Sequence, residues 1–496
     1  MIRRLALRNL VNRPWRSAFL LFGYSLGVAV MIVLLSIGEA LLAQSRQEKL
    51  VGGGEITVLP DGIDVEVLKT GGLGGMYFSI DRARFIQRQL LGAPRLASLI
   101  EAVAPQIESK LLYARTLAGA EVSVLATGEI PSLTSAVGGM PAISGSWIDD
   151  GADREWRDPE PNELRHAIDR FHLPPAEARG DESWAEWHYF NVVSSDRARW
   201  AFISLIVGGA VPDGRWGGQV LITLHEQGGV SRRFTATYPA KDVRLSTMSA
   251  DLTIGASSVN VLADGRYAVR ARAVEDGGSR VAEVNLVVAP APGAYFPGAV
   301  LSAGETVSGY VVPALRASAT GSICVSGKCD EFDAAQAYHD HNWGVWRGVT
   351  WEWGASRAGE YSLLYGRVQP PDSAAASQPL FVYVVDSLGF LALFRPREIV
   401  YDEGRELRVG RETIRVPTRG TMVDVRGADT LRVELIVEDA VATDTRTPNV
   451  ERGEGLRART LARPYFVQMK GRMRISGRVS GRPLSGEGTG FFETYR

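Results

Sequence analysis

Ala337-Tyr338-His339-Asp340-His341-Asn342-Trp343-Gly344-Val345-Trp346 is followed closely by Trp351-Glu352-Trp353-Gly354, and no other part of the chain packs polar and aromatic side chains so densely. In an extended strand, successive side chains alternate faces. His339, His341 and Trp343 then share one face, and Tyr338, Asp340 and Asn342 share the other. Trp351 and Trp353 share a face on the next run. A β-barrel builds an aromatic-lined interior with a few polar groups in this way, which suits a flat, long or greasy ligand.

Outward from this stretch the pattern stays β. Gly218 to Glu226, Arg266 to Val274, Val281 to Ala289, Glu406 to Val416 and Thr430 to Glu438 alternate or run apolar between Gly, Asp, Asn or Pro turns. Pro379 to Phe394 reads as strand, turn and strand. Many short strands argue for barrels or sandwiches and against a parallel α/β fold. The length after Trp184 exceeds one small barrel. The expected fold is therefore mainly β, with two consecutive antiparallel barrel domains at 184–357 and 358–496.

The region before them differs. Residues 1 to 16 carry Arg3, Arg4, Arg8, Arg13 and Arg16 and no acid, and Ser17 to Gly38 is an uncharged run of 22 residues. At 1.5 Å per residue it spans roughly 33 Å, enough for a hydrocarbon core of about 30 Å. The arginine bias predicts a cytoplasmic tail (1–16), a transmembrane helix (17–42) and an extracytoplasmic remainder, in a single-pass inner-membrane protein. A cleaved signal peptide would carry a shorter apolar run ending in a small-x-small site. Residues 43–150 mix strand-like Glu55 to Leu59 and Glu121 to Ala126 with helical Ile80 to Leu91 and Pro94 to Val103, an α+β pattern. Residues 151–183 read as a linker holding a short helical candidate, Pro161 to Phe171.

Lysine plus arginine number 55 against 56 acids, a formal net charge of -1, which removes any whole-chain case for nucleic-acid binding. No phosphate-cradling loop is present. Cys324 and Cys329 flank Val-Ser-Gly-Lys, a hairpin-like spacing that makes them a candidate disulfide, with two unpaired thiols as the alternative. His339 and His341, with His188 as a third ligand, could in principle converge on a metal. A hydrogen-bonded histidine network is the commoner arrangement.

Two resemblances add to this. Leu5-Ala-Leu-Arg-Asn-Leu through Arg16 and the apolar run after it resemble the first helix of macrolide-exporter-type ABC-transporter permeases, and Val58 to Trp147, with Gly128-Glu129-Ile130-Pro131, resembles the start of their periplasmic domain. None of that family's later membrane helices follows. Glu186-Trp187-His188-Tyr189-Phe190, Gly309-Tyr310-Val311-Val312-Pro313, the His-Asp-His-Asn-Trp-Gly string, Trp351-x-Trp353-Gly354 and Gly488 to Tyr495 together resemble the AttH and carotenoid 1,2-hydratase family. That resemblance implies two lipocalin-like β-domains, a hydrophobic or lipid-like ligand, and no cofactor or metal. Ligand contact is expected from His339, His341, Asn342, Trp343, Trp351, Trp353, Trp187 and Tyr189, and the permease-like segment implies an ABC-permease partner. Should the chain be a hydratase, the resemblance points to His341, Asp340 and Tyr365 as catalytic. Tyr365-Gly366-Arg367 departs from the family's Tyr-x-Asp, and a guanidinium is a poor proton donor.

Overall fold

The computed structural model describes residues 14–47, 56–58, 80–115, 117, 119–143, 145–157, 169–226, 231–303, 306–346, 348–370, 379–444 and 464–496. The basic tail before Pro14 and most of the helical candidate 161–171 lie outside them. The chain forms two compact units, one of Met1–Ala83 with Glu101–Arg157, the other of Arg84–Ile100 with Asp158–Arg496.

In the first unit, α1 (Pro14–Gln47) contains a 20-residue segment, Pro14–Val33, of mean hydropathy 1.7, long and apolar enough to cross a membrane. Its Trp15, Phe19, Phe22, Tyr24 and Met31 are exposed. Next in the chain come α2 (Ile80–Gly92), most of which belongs to the second unit, and α3 (Pro94–Ala97), which belongs wholly to it. The strands β1 (Gln106–Arg115) and β2 (Glu121–Glu129) form an antiparallel hairpin, and the short helices α4 (Pro131–Ala136) and α5 (Gly151–Arg157) follow. Gly128-Glu129-Ile130-Pro131 marks the β2-to-α4 turn. Pro131 opens the helix, while the Glu129 carboxylate accepts from Thr134 Oγ1 at 2.8 Å and from the Ala142 amide at 2.6 Å. Residues 56–58 form no strand, and the second helical stretch expected at 94–103 shortens to α3.

The second unit is a β-structure. Its first sheet runs through β3 (Trp184–Val193), β4 (Arg199–Gly209), β5 (Trp216–Glu226), β6 (Arg232–Pro239), β7 (Val243–Leu245), β8 (Leu252–Ile254) and β9 (Ser257–Val261). It continues through β10 (Tyr267–Glu275), β11 (Val281–Pro290), β12 (Phe296–Ala303), β13 (Thr306–Val325) and β14 (Lys328–Val345). The strands β3, β4, β5, β6, β10, β11, β13 and β14 pair in that order, and β14 pairs back onto β3. This is a closed eight-stranded up-and-down antiparallel barrel, the lipocalin-type architecture. Cys324 and Cys329 are register partners at the β13–β14 hairpin end and are disulfide-bonded.

The chain leaves the barrel at Val345 and enters a second, open sheet at Thr350, so Trp351 and Trp353 belong to the second sheet. It contains β15 (Thr350–Ala358), β16 (Tyr361–Gln369), β17 (Phe381–Asp386), β18 (Gly389–Phe394) and β19 (Val400–Asp402). The hairpin β20 (Arg405–Val409) with β21 (Glu412–Val416) stands apart, and β22 (Arg419–Arg426), β23 (Asp429–Asp444), β24 (Tyr465–Val479) and β25 (Arg482–Tyr495) complete the sheet. The expected run Glu406 to Val416 is thus two strands turning at Gly410-Arg411.

Three apolar cores result: the barrel interior, the inner face of the second sheet, and a seam where the two sheets pack together. Alternation along β3 and β14 explains the division. Trp184, Phe190, Val192, Ala337 and Trp343 point into the barrel, while Tyr189, Val193 and Tyr338 point into the seam. Cross-seam bonds fix the pairing, among them Trp353 Nε1 to Tyr338 Oη at 2.9 Å and Lys470 Nζ to the Arg197 carbonyl at 2.9 Å.

Gly309 is required inside the barrel, because a Cβ there would sit 2.3 Å from the indole of its register partner Trp343. Gly309→Ala is expected to destabilise the chain by about 1–3 kcal/mol through overpacking. Trp343→Leu in the same background should recover part of the loss in thermal unfolding. No recovery would show that Trp343 is not what Gly309 accommodates.

Candidate functional site

The strand β14 faces two different environments. On its inner side His339 and His341 are wholly buried, as is His188, the register partner of His341 on β3. Their rings stand close, with centroids 4.3 Å apart for His188 and His341 and 5.1 Å for His188 and His339. Into this face comes Asp169, 1% exposed, on the segment that the sequence pattern assigns to a linker. Phe171 beside it is part of the barrel core, so these residues help fill the barrel.

Asp169 organises the group. Its Oδ1 lies 2.6 Å from His341 Nδ1, and its Oδ2 accepts from Tyr267 Oη at 2.6 Å and lies 3.2 Å from His339 Nε2. Although burial alone would raise its pKa, the surrounding histidines hold the Asp169 carboxyl well below the usual range. His341 Nε2 lies 2.9 Å from Glu186 Oε1, so the imidazole bridges two carboxylates. Burial opposes its charge, but the bonds to Asp169 and Glu186 prevail and raise it to about 9. Burial drives His188 the other way, well below its ordinary value, and the neighbouring His341 charge adds to this. Glu186 also accepts the His172 amide at 2.8 Å, and the His172 ring stacks on Trp343 at 3.8 Å.

On the outer side of β14, Tyr338 Oη donates to Asp340 Oδ2 at 2.8 Å and Asn342 Nδ2 donates to Asp340 Oδ1 at 2.6 Å. Burial lifts Asp340 to about 6. Across the seam, Glu493 on β25 accepts from Trp351 Nε1 at 3.0 Å. Burial, with repulsion from Asp340 next, lifts Glu493 from 4.5 to about 7. Trp351 is half-buried and belongs to a cluster of half-buried rings with Trp187, Trp346 and Phe466. Centroids are 4.8 Å apart for Trp187 and Trp346, 5.6 Å for Trp346 and Trp351, and 5.3 Å for Trp351 and Phe466.

The residues expected to contact one ligand therefore separate. His339, His341 and Trp343 lie in the filled barrel interior, where the two histidines meet carboxylates rather than ligand space. Trp187, Tyr189, Asn342, Trp351 and Trp353 lie on the seam side. A cavity of about 20 Å³ lined by Trp200, Leu315, Tyr338 and Phe491 lies within the seam, room for a water and no more. The three residues named for a hydratase do not meet. His341 points into the barrel, Asp340 into the seam, and Tyr365 into the second sheet's own core. Arg367, standing where the resemblance expects an acid, pairs with its register partner Glu352 at 3.0 Å. Asp169, His172, Glu186, Tyr267 and Glu493 complete the two clusters. Glu186 and Glu493 sit inside quoted motifs, whereas Asp169 and His172 carry no periodic signal.

No protein-family model matches the chain, and no curated protein sequence matches it. Among solved structures, one similar chain is a protein assigned as AttH from Nitrosomonas europaea, 14% identical, covering 72% of this chain and 99% of that one with a TM-score of 0.45. Kievitone hydratase from Nectria haematococca is 13% identical, covering 66% and 94% with a TM-score of 0.40. CghA with Sch210972 is 13% identical, covering 63% and 89% with a TM-score of 0.37.

Glu493 generates a pH prediction. Its folded pKa exceeds its unfolded value, so the folded state holds more protons across pH 4.5 to about 7 and stability falls as pH rises through that window. Glu493→Gln should flatten this slope and gain at most roughly 3 kcal/mol over the parent at pH 8, with little difference near pH 4. Denaturant unfolding at several pH values checks this. An unchanged slope in the variant would exclude Glu493 as its source.

Proposed function

We propose that this chain is a membrane-anchored, extracytoplasmic lipocalin-like protein that binds a hydrophobic or lipid-like molecule at the open side of the seam. The observation that carries this reading is the cluster of half-buried indoles, Trp187, Trp346 and Trp351, whose Trp351 Nε1 donates to the Glu493 carboxyl. Apolar ligand surface covered there gains about 25 cal/mol per Å², while the carboxyl orients a polar end. The ring spacing leaves no preformed ligand-sized space, so binding requires the seam edge to part. Anchoring is supported by the exposed apolar side chains of α1, and an oxidising compartment by the Cys324–Cys329 bridge. The permease-like sequence of the first helix makes an ABC-type exporter subunit the proposed partner, with that helix as the docking element and the amino terminus in the cytoplasm.

The full chain in lipid nanodiscs, titrated with the polyene fatty acid cis-parinarate under direct excitation, tests the seat. A Trp187→Ala, Trp351→Ala double variant should bind roughly tenfold more weakly, the equivalent of about 1.4 kcal/mol. Equal binding by variant and parent would remove the seam as the ligand site.

One observation favours a second reading, an isoprenoid hydratase or isomerase. A carboxyl lifted to about 7 that accepts from Trp351, itself packed in a cluster of indoles, supports protonation of a double bond with the indole faces of the cluster stabilising the resulting cation. In that reading Glu493 is the acid, and Glu493→Gln should abolish turnover of a polyene while keeping parinarate binding. Turnover surviving that change would rule this acid out.

A further inference from the structure

The tautomers inside the barrel are fixed by what the outer ring nitrogens touch. His188 Nε2 lies 2.9 Å from the Ala250 carbonyl, and His339 Nδ1 lies 3.1 Å from the Tyr189 carbonyl. A carbonyl only accepts, so each of these nitrogens carries a proton. In a neutral ring the opposite nitrogen, His188 Nδ1 or His339 Nε2, then presents a lone pair. Both nitrogens are turned towards the Asp169 carboxylate, 3.8 Å away from Oδ1 for His188 and 3.2 Å from Oδ2 for His339.

His341 offsets part of the carboxylate's charge through its own bond to Asp169, but lone pairs at His188 Nδ1 and His339 Nε2 turned towards that carboxylate in a fully buried place repel it unless a further cation or a ring proton lies between them. Among the described residues His188 Nδ1 has no hydrogen-bond partner, although it is completely buried. Metal-bound histidines donate their second ring N–H to a backbone carbonyl or carboxylate, as both of these do. The three donor atoms fall within 4.8 Å of one another; two bonds of about 2.0–2.2 Å reach across at most about 4.4 Å, so a bound ion would draw the donors in by a few tenths of an ångström. Asp169 retains acceptor capacity after its bonds from Tyr267 and His341, since a carboxylate offers about four lone-pair sites.

We propose that Asp169, His188 and His339 form a binding site for a divalent first-row transition ion inside the barrel, with His341 and Tyr267 positioning the carboxylate. An imidazole and carboxylate donor set of this kind suits zinc, iron or cobalt rather than calcium or magnesium. The neighbouring group of His172, Glu186 and His341 is different. There both His341 ring nitrogens lie 2.6 and 2.9 Å from carboxylate oxygens, whereas in the proposed site His188 Nδ1 is buried with no hydrogen-bond partner among the described residues. The ion site does not depend on the ligand reading of the seam, which lies on the other face of β14. Because its donors are sealed from solvent, the ion is taken up as the chain folds.

The test uses the full chain without a histidine tag, produced in medium containing Co²⁺ and purified in detergent without chelator. About one Co²⁺ per chain is expected by elemental mass spectrometry, with visible d–d bands and two hyperfine-shifted exchangeable imidazole N–H resonances, from His188 and His339. His188→Gln and Asp169→Asn should each lower the bound metal on the order of tenfold or more while the β-rich circular dichroism remains. His225→Gln, whose histidine contacts Ser231 and Asp439 away from this cluster, should retain it. Should the variants fail to fold, the parent's resonances still decide. A folded parent with no stoichiometric metal, or with metal but no shifted imidazole N–H signals, overturns the site, as does full metal content in folded His188→Gln.

Discussion

A strand buried on both faces leaves no side on which a polar group can go unpaired, and β14 is such a strand. Between Gln336 and Val345 its inner side chains enter the barrel and its outer ones enter the seam, so every polar atom must find a partner within the protein. The inner set finds Asp169 and Glu186, and Tyr267 in turn donates to Asp169. The outer set finds internal bonds among Tyr338, Asp340 and Asn342, and Trp353 across the seam. Each side fixes the register of the other, because a one-residue slip would exchange histidines for the aspartate and tyrosine on both faces at once.

This requirement explains why the barrel interior is full. A lipocalin-type barrel of eight strands is just wide enough either to be filled by side chains or to hold a small ligand. Here the space is taken by imidazoles, carboxylates and the inserted Phe171, and the histidines were too strongly committed to carboxylates to line an apolar pocket. The half-exposed indoles lie instead where the barrel and the second sheet meet. The two sheets share one apolar core there, and the buried carboxyls of Asp340 and Glu493, both of raised pKa, lie on the seam side.

Much of this was legible in the residues. The alternation of His339, Asp340, His341, Asn342 and Trp343 places each side chain on its face, and the turn-separated strands from Trp184 onward announce a mainly β architecture. The uncharged run from Ser17 marks the long apolar helix. What alternation could not reveal is what covers each face. The burial of Asp340 depends on a sheet whose strands come from residues after Thr350, and Glu493 is far away in sequence. Asp169 and His172 lie outside any strand, where no periodicity reports direction. The separation of His341 from Tyr365 is likewise a long-range fact, since adjacent motifs in the chain fall into different cores.

The central claim is that the seam edge, and not the barrel interior, meets the apolar ligand. Photo-crosslinking of the full chain in nanodiscs with a diazirine-bearing fatty acid, mapped by peptide mass spectrometry, tests it most directly. The account predicts adducts on peptides carrying Trp187, Trp346, Trp351 and Phe466, suppressed by excess unlabelled fatty acid. Adducts confined to Pro14–Gln47, or centred on His339 and Trp343, would contradict it.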